Sequence, residues 1–242
     1  MKTALITGAS RGIGAATAEI LAESYDCLAL ISRNRDGQLS KTADKIRAYG
    51  HCECLTFSGD VSDYDFVEQT ISALEADGHA IEAVINNAGI SIVGLLQDMS
   101  PADFRTILNT NVTSVFNTCH AVIPYMIQRQ SGRIINISSV WGLAGASCEV
   151  AYSATKGAVN SFTKALAKEL APSHIAVNAI AFGAVDTAMN SHLSKDEKAM
   201  LCYEIPAGKM ATPEEAAICI KNILGMPVYL TGEIIKFDGA WI

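Results

Sequence analysis

The chain is short of positive charge, of aromatic residues and of any long apolar run. Its 242 residues carry 18 Lys and Arg against 25 Asp and Glu, a formal net charge of −7. A nucleic-acid partner requires a basic face, so that class is excluded on charge balance. No stretch reaches the ~18–20 uncharged residues of a membrane-spanning helix. The opening Met1-Lys2-Thr3-Ala4-Leu5-Ile6 leads straight into Thr7-Gly8, so no secretory leader is expected. Low-complexity tracts, polar linkers and internal repeats are missing too, and residues 1–242 are expected to form one domain. The seven cysteines are odd in number and scattered, which fits reduced thiols in a cytoplasmic protein. Cys52 and Cys54 lie beside His51 in a strand-like run, but no second Cys or His pair follows at zinc-site spacing. They are read as small hydrophobes, and no metal is expected.

What the sequence does have is a 50% hydrophobic composition arranged as short apolar runs alternating with helical patterns. Ala4-Leu5-Ile6 precedes a helix from about Ile13 to Glu23, and Cys27 to Ile31 precedes one ending near Tyr49 with Gly50 as its cap. Ala83 to Ile85, Arg133 to Ile137, Ile175 to Ile180 and Glu233 to Phe237 continue the series. Strands without polar alternation suit a parallel sheet covered on both faces, and strand–helix repetition implies right-handed crossovers. The fold class is therefore α/β, a doubly wound sandwich. Ser62, Ser100, Ser194 and Thr212 each stand three residues ahead of an acid, the spacing of a helix N-cap. Pro101 and Pro213 fall at first helical positions.

Between the first strand and first helix lies Thr7-Gly8-Ala9-Ser10-Arg11-Gly12-Ile13-Gly14. Gly8 permits a tight exit turn, Gly12 a close approach of backbone to a pyrophosphate, and Gly14 close packing of helix on strand. The helix start offers free N–H groups and a positive dipole. Gly8, Ser10, Arg11, Gly12, Ile13 and Gly14 are thus candidate dinucleotide contacts. The second strand ends Leu30-Ile31-Ser32-Arg33-Asn34-Arg35, with no acid at the turn to hold a free ribose hydroxyl. Arg33, with Arg11 approaching from the glycine loop, favours the extra phosphate of NADP(H). NAD(H) is the alternative.

The ordered set Thr7-Gly8-x-x-x-Gly12-x-Gly14, Asp60-Val61, Asn86-Asn87-Ala88-Gly89, Asn111, Ser139 and Tyr152-x-x-x-Lys156 covers nearly the whole chain. In this it resembles the single-domain short-chain dehydrogenases/reductases, and in overall look the 3-oxoacyl-carrier-protein reductases among them. The resemblance implies a Rossmann-type sheet of seven parallel strands in the order 3-2-1-4-5-6-7. It implies that Asp60 and Val61 contact adenine, that Asn87, Ala88 and Gly89 lie along the adenosine side, and that Gly183, Val185 and Thr187 border the nicotinamide. Asn86 and Asn87 are also read as ties between strand ends. A homotetramer or homodimer is expected from the same resemblance.

Tyr152 and Lys156 are four apart in an apparent helix from about Ala151 to Leu170, so they share a face. Lowering a tyrosine pKa from ~10 to ~7 requires roughly 4 kcal/mol. A cation about 4 Å away at an effective dielectric of ~20 supplies that much, so Lys156 is expected to acidify Tyr152. The resemblance implies that Lys156 also holds the nicotinamide ribose, that Ser139 aligns a substrate carbonyl, and that Asn111 kinks a helix and places a water linking the lysine to solvent. Ser138, the neighbour of Ser139, is expected to bond local backbone.

Phe182 stands where the family usually has proline, which alters the turn at the nicotinamide. The tail Phe237-Asp238-Gly239-Ala240-Trp241-Ile242 follows an abbreviated approach to the last strand. Substrate choice is expected to reside in residues 144–150 and in a lid of about 185–210, with Trp141, Leu143, Cys148, Val150, Met189, Leu193 and Met200 as apolar lining. Arg105, Arg129, Lys195 and Lys198 make a thin basic set for an acidic carrier protein. A free small ketone, an acyl thioester and a steroid-like alcohol all stay open as substrates. A catalytically inactive dinucleotide-binding sensor would show a broken tetrad, and an extended epimerase or dehydratase would need more chain after Lys156.

Overall fold

The computed structural model describes residues 1–33, 37–191 and 193–242. Seven strands form one parallel sheet in the order β3-β2-β1-β4-β5-β6-β7. They are β1 (Lys2–Thr7), β2 (Cys27–Ser32), β3 (Glu53–Ser58), β4 (Ala80–Asn86), β5 (Gly132–Ser139), β6 (Ile175–Phe182) and β7 (Ile234–Phe237). The helices between them are α1 (Gly12–Leu21), α2 (Gln38–Ala48), α3 (Tyr64–Ala76), α4 (Pro101–Leu108), α5 (Ser114–Arg129), α6 (Trp141–Ala144), α7 (Val150–Leu170), α8 (Lys195–Glu204) and α9 (Pro213–Leu224).

Alternate side chains of each inner strand serve opposite layers, as a period of two requires. Ala4 and Ile6 pack with Leu21, Leu39, Ile220 and Leu224 under α1, α2 and α9. Leu5 joins Val67, Ile71, Val122 and Leu166 under α3, α5 and α7. Ala4, Leu5 and Ile6 are all fully buried, which explains a strand without polar alternation. Burying each Leu or Ile contributes roughly 1.5–3 kcal/mol. Edge strands β3 and β7 are less covered.

The order of strands reverses between β1, paired to β2 on one side, and β4 on the other. Crossovers leave this switch point to opposite faces, and a crevice opens beyond the carboxyl ends of the strands. Ser100, Ser194 and Thr212 cap their helices as expected, the last two in reciprocal capping boxes. The cap of α3 is a correction: Asp63, not Ser62, accepts from the N–H of Asp65 and Phe66. Ser62 is drawn the other way, its N–H and hydroxyl both donating to Asp60 Oδ1 at 2.9 and 2.8 Å.

Candidate active site

A cleft of about 1150 Å³ lies at the switch point. Its floor starts at the glycine loop. Gly8 has φ +66°, and a Cβ on Gly14 would sit 2.4 Å from Gly8 O, so no other residue lets α1 start this close to β1. Asn87 braces the loop from β4: its Nδ2 donates to Thr7 O at 3.0 Å and Gly8 O at 3.1 Å. Asn86 turns inward instead, donating to Asn136 Oδ1 at 2.9 Å and accepting from Thr118 Oγ1. The pair thus divides its work, one amide tying β4 to β5 and the other reaching the cleft.

At the N-terminus of α1 the capping position, Arg11, is extended and makes no side-chain cap, and no acid occupies the first turn. Orphan N–H groups and the positive end of the helix dipole therefore face the cleft, the donor set a pyrophosphate requires. Ser10, Arg11, Gly12, Ile13, Arg33, Asp60, Val61, Asn87, Ala88, Gly89, Gly183, Val185 and Thr187 all line the same space. Gly14 acts from behind it. Asn34, Arg35 and His192 lie outside the described residues.

Ser139, Tyr152 and Lys156 meet on the far wall, where β5 ends and α7 begins. Trp141 N–H donates to Ser139 Oγ at 3.2 Å, and the Ser139 hydroxyl is the hydrogen-bond partner of Tyr152. Ser138 also borders the cleft, with its hydroxyl donating to Asn160 Oδ1 at 2.6 Å. Lys156 is buried and its Nζ donates to Ile137 O at 2.7 Å. Desolvation lowers its pKa to about 8. The ammonium lies 5.5 Å from the centre of the Tyr152 ring.

Tyr152 departs from the expected acidification. Its pKa is pushed up to about 12, first by desolvation and then by the Glu149 charge, while a hydrogen bond from Ser139 pulls the other way. The physical reason is that the lysine is itself stripped of water and directs a proton to a backbone carbonyl. Its attraction for a phenolate is outweighed by the cost of placing that anion in the protein.

Asn111 sits in a π-helical turn, Asn109–Thr113, between α4 and α5. It is buried and does not line the cleft. Its Oδ1 accepts from Ile90 N–H at 2.8 Å, and its Nδ2 donates to Ile90 O at 2.9 Å and Thr155 Oγ1 at 3.1 Å. Asn111 Oδ1 and Lys156 Nζ flank Gly89 together, 3.4 and 3.6 Å from where a Cβ on it would lie.

On the substrate side, Trp141, Met189 and Leu193 line the cleft as expected, whereas Leu143, Cys148, Val150 and Met200 do not. Leu143, Val150 and Met200 are exposed on the outer surface. Phe182 ends β6 buried, edge-on to Phe237 at 5.5 Å, and its carbonyl accepts from Val140 N–H at 3.0 Å. Three contributors escaped the sequence. Trp241 reaches the cleft from the tail and packs edge-on to Trp141 at 4.9 Å. Glu149 lines it from the start of α7. Gly142 is a close-approach position, since a Cβ there would meet the Lys156 backbone at 2.6 Å. The one available signal was Glu149's place three residues before Tyr152 on a helical face.

Cys52 and Cys54 pack into the core beneath α2, and burial pushes the Cys54 thiol up to about 11. Next to them, at the amino-terminal ends of β2 and β3 and just before β4, Cys27, Glu53 and His79 bring ligand atoms within 4.8 Å of one another. Burial first, then the Glu53 carboxylate and the neighbouring Cys52 and Cys54, raises Cys27 to about 12, so it stands as a neutral thiol.

A glycine loop at a parallel-sheet switch point, with serine, tyrosine and lysine on its far wall, defines a dinucleotide-dependent oxidoreductase site. The short chain dehydrogenase family model matches residues 2–198, and the chain belongs to that family. It is 39% identical over 242 residues to an uncharacterized oxidoreductase, YmfI, of Bacillus subtilis, covering 99% of this chain and 98% of that protein. To the 3-oxoacyl-[acyl-carrier-protein] reductase FabG of Chlamydia muridarum it is 36% identical over 240 residues, with 99% and 96% covered. A crystal structure of the 3-oxoacyl-[acyl-carrier protein] reductase from Brucella melitensis superposes with a TM-score of 0.91 at 32% identity, covering all of this chain and 91% of that one. The protein is an oxidoreductase of the short-chain class. Among the described residues, no helix is long and apolar enough to cross a membrane.

Proposed function

We propose that the protein reduces the ketone of a 3-oxoacyl thioester, or of a comparable small molecule, with NADPH, and catalyses the reverse alcohol oxidation. The observation that carries this reading is the meeting of Ser139, Tyr152 and Lys156 in the cleft that the glycine loop opens. A bound reduced nicotinamide would supply the hydride. Ser139 donates to the carbonyl oxygen and holds it beside Tyr152, and the Tyr152 hydroxyl gives that oxygen its proton. Lys156 stabilises the phenolate left behind and returns a proton to it, with Asn111 on the path to solvent. Gly8, Ser10, Gly12 and Ile13 would hold the pyrophosphate. Asp60, Val61, Asn87, Ala88 and Gly89 would hold the adenosine half, and Lys156, Gly183, Val185 and Thr187 the nicotinamide half. The cleft exceeds the ~300–1,000 Å³ of a single-ligand pocket, as a site for cofactor and substrate together should.

NADPH is favoured over NADH by Arg11 and Arg33, both exposed at the adenosine end. Among the described residues neither takes part in an ion pair. The thioester substrate is supported by the relatives named as 3-oxoacyl reductases. A tightly docked acidic carrier has less support. Arg129 is held bidentate by Glu75 at 2.6 and 3.0 Å, and Lys198 pairs with Asp186 at 3.1 Å. On this reading residues 1–242 act as one domain in the cytoplasm, with 185–210 as the substrate lid. Exposed Phe104, Leu108 and Phe116 on α4 and α5 support a homodimer or homotetramer.

Titrating tryptophan fluorescence with each cofactor tests the choice. NADPH is expected to bind at least ~10-fold tighter than NADH, about 1.4 kcal/mol, and Arg33→Ala to remove most of that difference. Equal or tighter NADH binding contradicts it.

A further inference from the structure

The two ends of the cleft differ in charge. The glycine-loop end carries Arg11 and Arg33 together with Asp60, whereas the charged residues contributed by the α7 entrance and by α8 are Glu149 and Glu204. Glu149 immediately precedes α7 and stands one helical turn before Tyr152, so the two share a face. Its position is fixed from the loop after β4. Ser91 Oγ donates to Glu149 Oε2 at 2.7 Å, and Gly94 N–H donates to Cys148 O at 2.8 Å. Among the described residues the other oxygen, Oε1, accepts no hydrogen bond.

We propose that Glu149 is a substrate-binding residue whose unpaired carboxylate oxygen accepts a hydrogen bond from a hydroxyl or ammonium group near the reacting carbonyl, so that the enzyme selects neutral or cationic ketones over ketones bearing a carboxylate. The proposal rests on the reductase reading and names the chemistry of its substrate. A carboxylate seated within about 5 Å of Glu149 meets repulsion of roughly 3 kcal/mol at an effective dielectric of ~20, a penalty on the order of 100-fold. A donor in the same place gains a charge-assisted bond. Trp141 and Trp241 add aromatic surface that accepts an alkyl body or a cation equally well. Lys156, a cation on the same wall, is buried and donates to Ile137 O.

The test compares wild type and Glu149→Gln, with NADPH, on three ketones built on the same four-carbon chain and differing at its end: 4-hydroxybutan-2-one with a terminal hydroxyl, 4-(dimethylamino)butan-2-one with a terminal ammonium, and acetoacetate with a terminal carboxylate. Wild type is expected to favour the hydroxyl and ammonium ketones over acetoacetate by at least ~30-fold in kcat/KM. Glutamine preserves the bond from Ser91 but not the charge, so a role limited to bracing the loop leaves the ranking unmoved. If Glu149 binds substrate, the variant narrows the spread at least ~10-fold, with acetoacetate improving and the ammonium ketone worsening. NADPH titration confirms that the variant is folded, and Glu149→Asp, which keeps the charge, should keep the ranking. A wild-type preference for acetoacetate, or an unchanged spread in Glu149→Gln, overturns the proposal. So does reduction of a 3-oxoacyl thioester with none of the three ketones turned over. Failure to reduce any carbonyl, thioester included, overturns the reductase reading itself.

Discussion

Tyr152 and Lys156 are shifted in opposite directions chiefly by one cause. Removal from water penalises whichever form is charged, raising the phenol to about 12 and lowering the ammonium to about 8. On the proposed mechanism Tyr152 acts in the reductive direction as the proton-bearing phenol, the form that a pKa of about 12 maintains. The same mechanism uses Lys156 as the cation, and Lys156 loses that charge as pH rises through about 8. The pH profile of kcat/KM for ketone reduction is therefore expected to be level in the acid range and to fall above pH 8, since it reports groups of the free enzyme. A profile that instead climbs through this range contradicts the assignment. The same shift has a stability consequence. Between about 8 and the ordinary 10.5 the unfolded chain binds more protons at this lysine than the folded one does, so its contribution raises stability as pH rises across that window. Lys156→Met should abolish that dependence in urea unfolding measured at each end of the window.

The elements around the site are set by a few positions that tolerate little change. Gly14→Ala would drive a Cβ against Gly8 O, and overpacking of this kind costs about 1–3 kcal/mol. It is expected to lower the urea midpoint and to weaken NADPH binding as α1 shifts, and an unchanged midpoint would show that the α1–β1 approach is relaxed. Asn111 holds the π-turn open by satisfying both backbone groups of Ile90 and the hydroxyl of Thr155. Asn111→Ala removes three hydrogen bonds, to the half-buried Ile90 backbone and the buried Thr155 hydroxyl, for a loss of roughly 1–3 kcal/mol, again read from the urea midpoint. Much at this scale was legible beforehand. The strands read from Ala4 to Ile6 and from Arg133 to Ile137 proved one to two residues longer at each end, because strand ends are held by neighbours rather than by local pattern. The α3 cap was misplaced by one residue, since local spacing cannot show that Asp60 competes for Ser62. The short α6 has too few residues to carry a period.

Over the whole molecule, the sheet order and the cofactor end of the cleft followed from the family resemblance that the ordered motifs carry, even though those motifs converge from far apart in the chain, as when Asn87 braces Thr7 and Gly8. The substrate end did not. Trp241 meets Trp141 across a hundred residues of chain, and Leu143, Val150 and Met200 are apolar residues on the outside, a choice that packing makes and composition does not. Exposed Phe104, Leu108 and Phe116 on α4 and α5 bear on assembly, and sedimentation is expected to give a dimer or tetramer. A monomer at micromolar concentration would leave that apolar surface without an explanation. The central claim concerns a single proton. Steady-state reduction of a 3-oxoacyl thioester by Tyr152→Phe, alongside NADPH titration of the same sample, tests it most directly. The expected result is cofactor affinity within about twofold of wild type and a kcat lower by ~10³ or more, the scale of a lost general acid. A variant that binds NADPH and keeps more than about a tenth of the wild-type kcat would contradict it.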